Sequence, residues 1–103
     1  MKAYRGPSEE VVKGLAENAR GRLGGNYCVC ESGTAGPTGG GTRNRTPGYV
    51  ALAVATGEGT VTKEVETGLG GDREGNMVKF AEEALGFLRD VIRGDVKVEG
   101  SRM

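Results

Sequence analysis

Apolar residues recur along this chain at two different periods, and each change of period marks an element. From Ser8 to Leu23, the positions Val11, Val12, Leu15, Ala16, Ala19 and Leu23 fall at helical spacing on one face. Ser8 supplies an N-cap, with Pro7 just before it. Glu9 and Glu10 follow in the first turn, where free N–H groups favour negative charge. Lys13, Glu17, Arg20 and Arg22 make the wet face, and Gly24-Gly25 is the expected stop. Asn26 to Cys30 is short, apolar and β-prone, which predicts a strand. Tyr49 to Thr56 (YVALAVAT) is apolar at both odd and even positions, as in a central strand covered on both sides. Thr60 to Thr67 alternates instead. Val61 and Val65 point one way, and Thr60, Thr62, Glu64 and Glu66 the other. Gly57-Glu58-Gly59 between these two strands predicts a hairpin. Gly68-Leu69-Gly70-Gly71 breaks the chain again, and Asp72 caps a second helix that Gly94 ends. Its apolar positions are Met77, Val78, Phe80, Ala81, Ala84, Leu85, Leu88, Val91 and Ile92, the most regular set in the sequence. The expected domain is 1–94, with 95–103 a polar tail.

The predicted order is α-β-loop-β-β-α, an open α/β layer in which two of three strands are edges. Edges invite pairing, which implies a second copy of the chain or a complementary chain. The chain has 103 residues, 36% of them apolar and none of them Trp, so its core is thin. Fourteen basic residues balance fourteen acidic ones. That balance gives no reason to expect a nucleic-acid partner. No apolar run reaches membrane-spanning length, and Met1 to Pro7 has no apolar core of a signal peptide. The expected compartment is the cytoplasm. Cys28 and Cys30, the only cysteines, could be half a metal site, but histidine is absent and there is no second Cys pair, so four zinc ligands are hard to assemble from one chain and no metal is expected. The two thiols read as small apolar strand residues.

Glu31 to Tyr49 (ESGTAGPTGGGTRNRTPGY) can be neither helix nor core. Compact domains seldom keep so long a loop without a function, although a flexible connector is the plain alternative. Its glycines let a backbone approach a ligand closely, and successive N–H groups can form an anion-binding nest. Arg43 and Arg45 add charge, and Ser32, Thr34 and Thr38 add hydroxyls. Named phosphate motifs do not fit. Gly36 and Gly41 have P-loop spacing, but Thr42-Arg43 follow where Lys-Ser/Thr is required. Gly71-Asp72-Arg73 sets a guanidinium at a helix start that already favours anions, a place to hold a phosphate or carboxylate. Without histidine there is no Ser-His-Asp triad. A hydroxyl nucleophile needs a lysine base, and Lys63 shares the inward side with Val61 and Val65. A lysine snorkelling from an edge strand fits the same pattern.

Three motifs in register resemble the C-terminal domain of the competence-damage protein CinA, a family that includes nicotinamide-nucleotide amidohydrolases. They are Ser32-Gly33-Thr34-Ala35-Gly36-Pro37-Thr38-Gly39-Gly40, then Thr46-Pro47-Gly48-Tyr49-Val50, then Gly71-Asp72-Arg73. The resemblance runs from about Ser8 to Ile92. It implies a three-layer α/β/α fold, here a partial domain, and hydrolysis of nicotinamide mononucleotide to nicotinic acid mononucleotide and ammonia. It implies no cofactor. The family's nucleophilic serine lies in a Glu-Ser-x-Thr-Gly-Gly motif, and its base is a lysine after Tyr-Ser-Asn. Both belong upstream of the region this chain resembles. Glu31-Ser32-Gly33-Thr34-Ala35-Gly36 is itself similar to the nucleophile motif, which makes Ser32 a catalytic candidate. A helix should then follow, and Pro37 and the glycines at 39, 40 and 41 forbid one. As part of the second motif, Ser32, Gly33, Thr34, Ala35, Gly36, Gly39 and Gly40 bind substrate, with Arg73 near the phosphate or the reacting amide.

Overall fold

The computed structural model describes residues 7–23 and 26–96. The expected Gly24-Gly25 stop and nearly all of the polar tail lie outside the described residues. The elements in chain order are α1 (Glu9–Leu23), β1 (Tyr27–Thr34), β2 (Tyr49–Thr56), β3 (Gly59–Glu66) and α2 (Arg73–Arg93). The sheet is antiparallel throughout, with strand order β1-β2-β3 the same as chain order. α1 covers one face and α2 the other, which makes three layers. Among the described residues, no helix is long and apolar enough to cross a membrane.

β2 is buried along seven of its eight residues because each side of its pleat meets a helix. Val50, Leu52 and Val54 pack with Phe80, Ala84, Phe87 and Val91 of α2. Tyr49, Ala51, Ala53 and Ala55 pack with Val12 and Ala16 of α1. The alanine-rich side lets α1 approach closely on a narrow stripe, so Leu15, expected on the inner face, is exposed instead. The caps follow the sequence. The amide of Val11 donates to Ser8 Oγ at 3.2 Å, and that of Gly75 to Asp72 Oδ1 at 3.1 Å. Gly94 closes α2 at φ 83°, donating to the carbonyls of Asp90 and Val91.

Two expectations need correction. β1 does not stop at Cys30. It runs on to Thr34, because Glu31 to Thr34 pair with Leu52 to Tyr49. Partner strands outweigh the poor β-propensity of Ser32 and Gly33. The nine apolar positions of α2 are also not one buried face. Of the nine only Phe80, Ala84 and Val91 are buried, joined by Phe87, which was not among them, whereas Met77, Val78, Leu85 and Ile92 are exposed. A single sheet three strands wide covers only part of the helix.

Candidate functional site

Beyond Thr34 the chain turns through a loop that is ordered by its own polar groups, contrary to a flexible connector. The Gly48 amide donates to the Thr34 carbonyl at 2.7 Å, and the Gly40 amide to the Arg45 carbonyl at 2.8 Å. Thr34 Oγ1 donates to the Asn44 carbonyl at 3.0 Å, and Asn44 Nδ2 to that of Pro7 at 2.6 Å. A 3-10 turn, Arg43–Arg45, sits in the middle. The glycines serve this compaction. A Cβ on Gly39 would lie 2.3 Å from the Arg45 carbonyl oxygen. On Gly36, at φ 88°, it would lie 2.9 Å from Pro47 Cβ. The Gly36-Pro37 peptide is cis.

The folded loop and the start of α2 enclose a cleft of about 530 Å³. Gly33, Thr34, Ala35, Gly36, Thr38, Gly39 and Gly40 line one side, and Arg45 and Arg73 contribute the positive groups. Arg73 Nη1 donates to the Gly36 carbonyl at 3.1 Å, which fixes the guanidinium against the loop. The Gly71-Asp72-Arg73 turn therefore faces the same hollow as the glycine-rich motif. Ser32 does not line it. Ser32 lies one residue earlier, on the α1 side of β1 opposite Ala51. Lys63 is on β3, opposite Leu52, and so on the α2 side. A Ser32–Lys63 pair is thus divided by the sheet and by the width of β2. Lys63 instead extends outward to Glu83 at 3.5 Å and over the Phe87 ring, the snorkelling arrangement.

Arg43 leaves the cleft as well. Its guanidinium donates to Glu64 at 3.0 Å and to Glu66 at 2.5 Å, and it stacks over Tyr49. Tyr49 donates its hydroxyl to the other Glu64 oxygen at 2.5 Å. That hydrogen bond first, and then Arg43, holds the Glu64 carboxyl below its ordinary range. Burial, followed by the Glu64 bond, pushes the Tyr49 phenol well up. Cys28 and Cys30 are half-buried against the α1-side core. Burial, and then the adjacent Cys28, raises the Cys30 thiol.

Asn76 was not anticipated from the sequence. It is fully buried in the first turns of α2. Its Nδ2 donates to the carbonyls of Ala35 at 2.8 Å and Gly70 at 2.9 Å, and its Oδ1 accepts from Thr67 Oγ1 at 2.5 Å. One amide therefore ties together the glycine-rich loop, the loop before α2 and the end of β3. The available signal was an asparagine one turn before Phe80, on the face that Phe80 and Ala84 bury. A second hollow, about 380 Å³, lies at the opposite end of the sheet between Arg20, Tyr27 and Glu58 and contains no residue of the loop.

A three-layer sandwich with a glycine-rich cleft beside a helix start defines a small α/β/α domain. The family model of the CinA C-terminal domain matches residues 1–92, and the chain belongs to that family. It is 41% identical over 93 residues to a CinA-like protein of Anaeromyxobacter dehalogenans, covering 90% of this chain and 22% of that one. It superposes on the competence/damage inducible protein CihA of Agrobacterium tumefaciens with a TM-score of 0.69 at 30% identity. That match covers 80% of this chain and 49% of the other. A CinA superfamily protein of Enterobacter cloacae gives a TM-score of 0.68, at 30% identity, over 79% and 46%. The chain thus spans about a fifth of the curated relative and half of each solved one.

Proposed function

We propose that this chain is the nucleotide-binding half of a nicotinamide mononucleotide amidohydrolase site, and that the cleft takes the phosphorylated ribose. The observation that carries the reading is Arg73, held 3.1 Å from the Gly36 carbonyl and lining the cleft with the glycine-rich motif. A guanidinium at a helix start suits a phosphate, because its fork and the free N–H groups act on the same charge. Thr34 and Thr38 offer hydroxyls nearby for ribose or amide. Hydrolysis needs a nucleophile and a base, and Ser32 has no lysine on its side of the sheet within the described strands. The chain by itself then binds without turnover.

Calorimetric titration with nicotinamide mononucleotide tests this. Binding is expected for the unaltered chain and is weakened about tenfold to a hundredfold by Arg73→Ala, the worth of one charge-assisted pair. Arg73→Lys recovers only part of the loss, because it keeps the charge without the fork. Absence of heat with the unaltered chain, or equal affinity in Arg73→Ala, refutes the reading. Ammonia release by the isolated chain refutes the division of labour.

A further inference from the structure

We propose that Arg45 is a second anion-binding residue of the cleft, and that Arg43 is its positioning residue, clamping the turn that carries both arginines to β3. The inference rests on the reading of the cleft as a phosphate site, and it supplies the charge such a site requires. A phosphate monoester carries about −1.5 to −2 at neutral pH, more than one guanidinium balances. Arg73 alone leaves that mismatch. Arg45 also lines the cleft, and among the described lining residues none is acidic. Two cationic residues therefore border a hollow whose remaining wall is glycine, threonine, alanine and proline.

The loop is shaped around Arg45. A Cβ on Gly40 would lie 3.0 Å from Arg45 Cδ and 3.1 Å from its Cβ. The stem of Arg45 thus lies along Gly40, and a side chain there would displace it. The Gly40 amide donates to the Arg45 carbonyl at 2.8 Å, which fixes the backbone from which that stem departs. Gly39 leaves room for the same carbonyl.

Arg43 stands two residues earlier, and the turn between them sends the two side chains apart. Arg43–Arg45 is a 3-10 turn. It is closed by the Arg45 amide on the Thr42 carbonyl at 3.1 Å and by the Thr46 amide on that of Arg43 at 3.2 Å. At three residues per turn, side chains two positions apart diverge by about 120°. Arg43 accordingly reaches Glu64 and Glu66 on the α1 side of β3, while Arg45 borders the cleft. An isolated exposed ion pair holds little. Here one guanidinium engages two carboxylates and the Tyr49 ring, and the Tyr49 hydroxyl fixes Glu64 in turn. Tyr49 is itself buried, so the clamp is anchored in the core. A turn fastened in this way presents Arg45 before any ligand arrives, and less freedom is lost on binding.

Calorimetry with nicotinamide mononucleotide and phosphorus NMR with inorganic phosphate test the assignment. Arg45→Ala is expected to weaken both ligands about tenfold. Arg43→Ala is expected to weaken both about threefold, and Arg43→Lys to restore part of that loss, because one ion pair returns. The decisive comparison is the double variant. In the Arg45→Ala chain, Arg43→Ala should add nothing, because Arg43 acts only through Arg45. A merely structural role would weaken binding in either background. Amide exchange at Gly40 reads the clamp without ligand, and it should quicken severalfold in Arg43→Ala while circular dichroism keeps its signal. Equal affinity in Arg45→Ala, an Arg43→Ala loss that persists without Arg45, or unchanged Gly40 exchange overturns the proposal. Inorganic phosphate that binds as tightly as the nucleotide, with both losses present, would keep the clamp and refute the nucleotide reading. Nucleotide binding that depends on Arg73 but not on Arg45 does the reverse. Failure of both ligands to bind refutes both.

Discussion

Replacing Asn76 by alanine removes three hydrogen bonds made by one buried amide. Their partners differ in access to water. Ala35 is buried, so its carbonyl loses its donor in a place where no solvent replaces it, at about 1–3 kcal/mol. Gly70 is exposed and Thr67 half-buried, so each loses only a net hydrogen bond, about 0.5–1.5 kcal/mol. The sum is about 2–6 kcal/mol, against roughly 5–15 kcal/mol for a whole domain of ordinary stability. Urea unfolding is the assay, with the slope unchanged and the midpoint lowered. The melting temperature should fall by about 10 °C or more. Thr67→Ala measures one share alone and should cost about 1 kcal/mol. Asn76→Asp should be worse than alanine at neutral pH, because an ionised carboxylate faces two carbonyls and donates to neither. Its burial raises its folded pKa, so its deficit shrinks as the solution is acidified. A loss under about 1 kcal/mol in Asn76→Ala would refute the view that this amide holds the cleft together.

Two further predictions concern the strands. Gly33→Ala sets a methyl 2.6 Å from the Phe80 ring and 2.7 Å from the Tyr49 carbonyl oxygen, so it should cost about 1–3 kcal/mol in urea unfolding. Phe80→Leu in the same chain should return part of that loss; no recovery would mean that the clash is not the cause. The Glu64 carboxyl is held below its ordinary value of 4.5 by Tyr49 and then Arg43. Its contribution is therefore complete above that value and lost as pH falls through the lower folded pKa. Melting temperatures of the wild type and Glu64→Gln should differ at neutral pH and converge in acid. A gap independent of pH would refute the assignment.

Both helices, their caps and the doubly buried β2 were legible in the sequence, because periodicity and capping are local. Where the outcome depended on neighbours, local pattern failed. Glu31 to Thr34 became strand because Tyr49 to Leu52 stood ready to pair. α2 was read as one apolar face, yet a sheet three strands wide leaves Leu85 and Ile92 outside. In the cleft, Arg73 and the glycine-rich motif came together as their order suggested. The glycines themselves mostly accommodate the loop's own carbonyls and Pro47. Asn76 escaped notice because an amide on a helix gives no sign of which carbonyls will surround it.

Strand order that repeats chain order carries a consequence for how this molecule is made. Each strand finds its hydrogen-bonding neighbour in the segment synthesised just before it, so the sheet can zip up as the polypeptide leaves the ribosome. Loop closures stay short and pairing is quick. Only the last helix arrives after the strands it must shield. Until then the Val50, Leu52 and Val54 side of the central strand lies open to water. That interval, set by the time to translate the 21 residues of α2 and the turn before it, is when the nascent chain is most exposed to aggregation.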